Sequence, residues 1–393
     1  MLQKETGDSK KLGEICGFKN GFNFGKGYLE TGFKVINVFD FQDYFSPNYG
    51  KLQPLVADRI PSEEYLLEKN DVVFVRSNGN KELIGRTLLI DEVPFRMTFS
   101  AFCIRARLHS SNLLPKYFVY FAKSDVFKIK LRSLVRGTYI GNISQGLLSN
   151  VSILIPPIDE QERIIELMQS IEQGVVHAEK QEKNLWNLRK TLTNKLKRVK
   201  PTFGNLIDLS KCEKVTIGDV SKEISDRVEN PSQSGFDRFV GLEDFESGEV
   251  NISSWSSADS LVSAMKLFKA EDVLFARRNA YLKRTSKVDF DGMCSGDAIV
   301  IRVMPDMIFP MFLTLIMNTD EFWDFAISNA AGTMSKRVKW RDLEMYSFIL
   351  PDMKTQKTIV NVFTQIEICL AQIRYQKETL KKLKQKLLNE ILG

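Results

Sequence analysis

The chain has 393 residues, 43% of them apolar and 26% charged, with a formal net charge of +6. That composition excludes a disordered or fibrous protein and suits two or three domains with real cores. There is no apolar run of about 18 residues and no secretory signal at the start, and the five cysteines form no CxxC pair, so a cytoplasmic protein with reduced thiols and no membrane span is expected.

Residues 1–158 carry 21 basic against 15 acidic residues. Short β-branched and aromatic runs at Val35–Val38, Val72–Val75 and Phe102–Arg105 predict strands, and Pro115–Phe127 predicts one short amphipathic helix. A further strand, Val151–Ile155, stops at Pro156-Pro157. Residues 159–200 then place Ile164, Met168, Ile171, Val175, Ala178, Leu185, Leu192, Leu196 and Val199 at alternating spacings of four and three, which predicts one long helix with an apolar stripe. Acidic residues open it (Asp159, Glu160, Glu162, Glu166) and basic ones close it (Lys195, Lys197, Arg198, Lys200), as the helix dipole favours. The linker Lys200–Val215 leads into residues 201–353, which are acidic, with 17 basic against 24 acidic residues. Strands are expected there at Val273–Ala276, Ala298–Val303 and Ser347–Leu350, the last stopped by Pro351. Residues 354–393 repeat the stripe at Ile359, Phe363, Ile366, Leu370, Ile373, Leu380, Leu387 and Ile391.

The second half repeats the first at a constant offset of 195 residues: Gly137-Thr138 as Gly332-Thr333, Gln161 as Gln356, Ile171-Glu172 as Ile366-Glu367, Asn194 as Asn389. Weaker matches precede them, Asp71–Arg76 with Asp272–Arg277 and Leu12–Ile15 with Ile217–Val220. The chain therefore reads as one α+β unit used twice, domain then helix, domain then helix. A helix of nearly 40 residues, about 55–60 Å long, cannot bury one stripe alone, and its natural partner is the other copy. The expected seam joins Ile164, Met168, Ile171, Leu185 and Leu192 to Ile359, Phe363, Ile366, Leu380 and Leu387. Two of its positions are charged in both copies, Glu182/Lys377 and Arg189/Lys384, and the neighbouring Leu188/Leu383 are expected to take over by a small shift of the seam.

Catalytic equipment is scarce. His109 and His177 are the two histidines, the first read as a loop residue and the second as a solvated helix residue, and no HExxH, Cys/His cluster, GxSxG or GxxxxGK[ST] occurs. The glycines of Phe24-Gly25-Lys26-Gly27 read as turns. Basic-polar clusters carry more: Lys19, Asn20 and Lys26 in the first domain, and Arg76, Asn78, Asn80 and Lys81 after its Val72–Val75 strand. In the second domain the segment after the equivalent strand holds Arg277, Arg278, Asn279, Tyr281, Lys283 and Arg284, and a further patch holds Lys336, Arg337 and Lys339. Arginine and lysine suit guanine and phosphate, asparagine suits adenine, and equivalent placement in both halves points to double-stranded DNA as ligand. Two similar frames with different surfaces should bind two different things. The other classes open to this sequence are a single-chain DNA methyltransferase or nuclease fragment, and a coiled-coil adaptor that binds proteins alone.

Gly137-Thr138, the strand Val151–Ile155 and the run Pro156-Pro157-Ile158-Asp159-Glu160-Gln161-Glu162-Arg163-Ile164, with Asn20-Gly21 and Asp71–Arg76, resemble the specificity subunit of type I restriction-modification systems over nearly the full length. The second copy departs from the pattern: Pro351–Gln356 lacks the second proline and the glutamate before Gln356. The resemblance implies target-recognition domains at 1–158 and 201–353, conserved helical spacers at 159–200 and 354–393, and helices paired as an antiparallel coiled coil. It also implies a non-catalytic chain with no cofactor or metal of its own, which reads a bipartite site and docks two modification subunits. Those partners use S-adenosylmethionine, and restriction subunits use ATP and Mg.

Overall fold

The computed structural model describes residues 7–42, 45–134, 142–196, 212–231, 234–259, 261, 263–332 and 335–392. Gly137-Thr138, Tyr139–Gly141, Thr333, the basic tail Lys197–Lys200 and the linker as far as residue 211 lie outside them. The chain forms two compact units, Met1–Ala178 with Tyr375–Gly393, and Glu179–Arg374. Each unit contains one α+β domain and a part of both long helices.

In the first unit an antiparallel sheet runs Cys16–Asn20, Cys103–Leu108, Val72–Val75, Thr87–Leu89 in spatial order. The run Val72-Val73-Phe74-Val75 is apolar throughout because both of its faces are buried. Val72 and Phe74 face a helical layer, Pro115–Lys123 and Asp125–Ser133, while Val73 and Val75 face Ile36, Met97 and Phe99 of a second sheet. The single helix expected over Pro115–Phe127 is thus two. Ser124 breaks it, its hydroxyl accepting from Phe127 N as the N-cap of the second piece. A separate ribbon pairs Asp8–Lys11 with Ser152–Ile155.

The second unit repeats this plan: Ser221–Ile224, Ala298–Val303, Val273–Ala276 and Thr285–Lys287 form the sheet. Pro310–Met317 and Asp320–Ser328 cover the Val273 and Phe275 face. Its own ribbon pairs Glu213–Thr216 with Ser347–Leu350. The Asp71–Arg107 ion pair of the first domain recurs as Asp272–Arg302, each with a nearly fully buried aspartate.

The long helices span Ile158–Lys195 and Met353–Ile391, 38 and 39 residues. Each starts on a buried glutamine. Gln161 Oε1 accepts from Leu114 N at 2.8 Å, and its Nε2 donates to Asn112 O and Pro156 O at 2.7 and 2.8 Å. Gln356 repeats all three bonds, to Phe309 N, Met307 O and Pro351 O. A buried amide side chain with every such bond made is a stable anchor, and losing them leaves backbone groups orphaned.

The helix ends are tied the same way. In the first unit Asn389 Oδ1 accepts from Asp125 N and its Nδ2 donates to the Asp125 carboxylate, at 3.0 and 2.9 Å. In the second, Asn194 does the same to Asp320, at 2.8 Å for both bonds. Each domain core accordingly holds the start of one helix and the end of the other: Ile164, Met168, Leu387, Leu388 and Leu392 in the first, Ile359, Phe363, Leu192 and Leu196 in the second.

Helix–helix contacts occur inside each unit, and the two helices run in opposite sense. In the first unit Lys384 Nζ lies 2.7 Å from Glu172, and a Cβ on Gly174 would meet Leu380 Cδ1 at 3.2 Å. In the second, Arg189 pairs with Glu367 at 2.8 Å and Arg374 with Glu182 at 2.7 Å. Of the expected seam, Ile171 and Ile366 are buried, and Leu185 and Leu380 are half-buried.

The expected takeover by Leu188 and Leu383 does not happen: they are 49% and 42% exposed, while Arg189 is 3% exposed on its side chain. The reason is a loop of the second domain, whose Glu249 carboxylate and Gly248 carbonyl accept from the same guanidinium at 3.1 and 2.8 Å. With Glu367 they supply the acceptors that a buried guanidinium needs. Burial raises the Glu367 pKa, an effect the Arg189 charge opposes.

Arg189→Ala would leave the buried Glu367 without its hydrogen-bonded cation, while Glu249 keeps Arg374 at 2.7 Å, and should cost about 3 kcal/mol in a urea melt. A loss under about 1 kcal/mol would show the ionic contact to be dispensable. Hydrogen bonds from Asn389 and Lys128 lower the Asp125 pKa to about 2. A depressed carboxylate stabilises the fold above its unfolded value, so this contribution is present at neutral pH and is lost as pH falls from about 4 toward 2. The urea midpoint of the first unit should therefore fall more steeply across that window in the wild type than in Asp125→Asn. Parallel curves would contradict it.

Candidate nucleic-acid interface

In both domains the chain leaves the third strand of the main sheet and runs into the segment that carries the basic residues. The exit is built alike twice. Arg76 N donates to Phe102 O at 2.7 Å and Arg277 N to Asp297 O at 2.9 Å, while Ile143 N donates to Arg76 O and Val338 N to Arg277 O, both at 2.9 Å.

In the second domain this brings together two patches that are well separated in sequence. Arg278 and Arg337 form an antiparallel bridge, Asn279 N donates to Lys336 O at 3.1 Å, and Arg278 Nε donates to Ser335 Oγ at 2.7 Å. Between them Asn279 and Lys283 adopt left-handed conformations, φ +56° and +50°, on either side of the turn Ala280–Leu282. Such a turn strains non-glycine residues and persists where the surroundings enforce it. It presents Tyr281 at 66% exposure. The Asp297 carboxylate accepts from Arg337 Nε at 2.8 Å and lies 3.8 Å from Arg278, and the Arg337 bond holds its pKa below the usual carboxylate range. Lys336 and Lys339 are exposed.

Other predicted residues bind inward. Lys283 Nζ reaches Asp320 at 3.0 Å, and Arg284 donates to Leu242 O at 2.7 Å, with burial lowering its pKa. The Nε atoms of Arg277, Arg284 and Arg76 are buried without a hydrogen-bond partner.

In the first domain Arg76 Nη1 donates to Ala101 O at 3.4 Å. Asn78 and Asn80 shape the loop itself: Asn78 Oδ1 accepts from Asn80 N, and Asn80 Oδ1 from Glu82 N, capping the turn that contains Lys81. Lys19 pairs with Glu64 and lies 4.9 Å from the centre of the Tyr65 ring. Asn20 closes its strand beside the turn 100–103, where Gly21 N donates to Cys103 O. Lys26 is exposed. The neighbouring glycines are not left-handed turns. A Cβ on Gly27 would sit 2.1 Å from Ala57 O, so the residue is small because two backbone segments touch there.

Phe102 and Asp297 lie at the centre of the two exits, yet they fall outside the basic clusters that sequence reading selects. Their signal was the offset of 195 that relates them, with an apolar residue at one position and an acid at the other.

Among the described residues no group of three or more His, Cys, Asp or Glu could hold a metal, and no helix is long and apolar enough to cross a membrane. The buried thiols of Cys16, Cys103 and Cys294 are pushed up to about 12 by burial, which makes them unreactive.

Residues 4–187 match the family described as type I restriction modification DNA specificity domain. The chain is 23% identical over 332 residues to the type I restriction enzyme StySPI specificity subunit of Salmonella potsdam, which covers 79% of this chain and 70% of that protein. It is 22% identical over 337 residues to the EcoKI specificity subunit of Escherichia coli K12, with the same coverage. In fold it is similar to the type I restriction-modification S subunit of M. genitalium, with a TM-score of 0.56, 12% identity, and 100% and 98% of the two chains covered.

Proposed function

Because residues 4–187 match the type I restriction-modification DNA specificity domain and the chain is similar to specificity subunits over most of its length, we propose that it is the non-catalytic subunit that reads a two-part, asymmetric DNA site. Residues 1–158 and 201–353 each read one part, and residues 159–200 and 354–393 form the spacer between them as an antiparallel coiled coil. The observation that carries this reading is the pair of strand exits, framed by the same backbone hydrogen bonds and lined by different side chains. Lys19, Asn20, Lys26, Arg76, Asn78, Asn80 and Lys81 serve one half-site. Arg278, Asn279, Tyr281, Lys336, Arg337 and Lys339 serve the other, on a loop that Arg277, Lys283 and Arg284 hold in place through their inward contacts.

The helices dock modification subunits, two per chain in keeping with the repeat, and restriction subunits join in the full complex. S-adenosylmethionine, ATP and Mg act on those partners, and the assembly works in the cytoplasm. Half-sites read from one face of a duplex lie about 34–36 Å apart, a distance within reach of helices this long.

Sequencing of methylated DNA from cells carrying this chain with its modification subunit should give one motif of two unlike halves around a spacer of free sequence. A continuous or palindromic motif would refute the reading. Deleting matched heptads from both helices should change the spacer length and leave both halves unchanged. An unaltered spacer would refute the ruler. Replacing Lys336 and Lys339 together by alanine should weaken binding to every sequence alike and reduce the slope of log K against log salt by about two. A loss confined to one sequence would assign these lysines to bases instead.

A further inference from the structure

The two strand exits close on the same turn. Cys103 N donates to Ser100 O at 2.8 Å and Ala298 N to Ser295 O at 2.9 Å. The third residue of each turn accepts the strand-exit amide, from Arg76 in one domain and Arg277 in the other. The backbone is therefore in one place twice, and the side chain differs completely. Phe102 is 59% exposed, while Asp297 is 20% exposed on its side chain and is engaged by two arginines.

A lone exposed aromatic is ordinary on a protein surface. This one is marked by its position. It stands between the Asn20-Gly21 segment, bonded to the far side of its turn, and the Arg76-Ser77 segment, whose amides both donate to its carbonyl at 2.7 and 3.4 Å. In the second domain the same position bonds Arg337 through two of its nitrogens and lies 3.8 Å from Arg278, whose Nε is held by Ser335 Oγ, so two guanidinium groups are gathered around one carboxylate at the surface. An exposed phenyl ring suits the C5-methyl group of thymine, and an oriented guanidinium suits the O6 and N7 acceptors of guanine.

Resting on the DNA-reading role above, we propose that residues 102 and 297 are one specificity-determining position used twice, Phe102 covering a thymine methyl in one half-site and Asp297 holding Arg278 and Arg337 against guanine in the other. Neither residue supports a domain core, so substitution changes what is read and leaves the fold intact.

The test uses the chain assembled with its modification subunits. Binding is measured on duplexes in which each thymine of the methylated motif is replaced in turn by deoxyuridine, which lacks only the methyl group. One such replacement in the first half-site should weaken wild-type binding about fourfold, the worth of one buried methyl. Phe102→Ala should bind the two duplexes equally, and Phe102→Leu should restore part of the difference. Asp297→Asn should keep that thymine response and lose about tenfold or more of its guanine preference at one position of the second half-site. The assignment is overturned if no thymine of the first half responds, if the response survives in Phe102→Ala, or if Asp297→Asn changes the first half. A wild-type complex that selects no motif at all overturns the DNA-reading role itself, and this inference with it.

Discussion

A long helix with a single apolar stripe is unstable in water until something covers the stripe, and the same holds for a domain whose sheet and short helices leave one side of the core open. In this chain each problem solves the other. The first domain's core closes over Ile164 and Met168 from the start of one long helix and over Leu388 and Leu392 from the end of the other. The second domain's core closes over Ile359 and Phe363, and over Leu196. A compact unit therefore includes segments that are far apart in sequence, as the first one joins Met1–Ala178 to Tyr375–Gly393.

Hydrogen bonding fixes the register of this arrangement. Apolar contact alone would tolerate a helix sliding by a turn. Gln161 and Gln356 do not, because each satisfies one amide and two carbonyls from fixed points in its domain. Asn389 and Asn194 set the far ends against Asp125 and Asp320. Such bonds explain which residues of the repeat are kept. The second proline and the glutamate before the glutamine are missing from the second copy, and neither contributes to the three bonds.

Much of this was legible from the chain alone. The long helices, the strands before them and the pairs at an offset of 195 follow from periodicity and self-similarity, because backbone hydrogen bonding and amphipathic burial are local in sequence. Arg189 was not legible as a buried residue. A charge on an apolar stripe reads as a break in the seam, and only the arrival of Gly248 and Glu249 from another element gives it partners. The joining of Arg278 to Arg337 was hidden for the same reason, since no local rule brings residues on two separate elements onto one bridge. Phe102 and Asp297 escaped because neither resembles a nucleic-acid ligand by residue type. Their meaning comes from a shared backbone position.

The end of the second long helix completes the first domain. The most direct test is removal of Tyr375–Gly393, followed by hydrogen exchange across the rest of the chain. Protection should fall in the Val72–Val75 and Cys103–Leu108 strands, far upstream of the cut, while Val273–Ala276 and Ala298–Val303 keep theirs. Loss of protection in the second domain with the first untouched would contradict it.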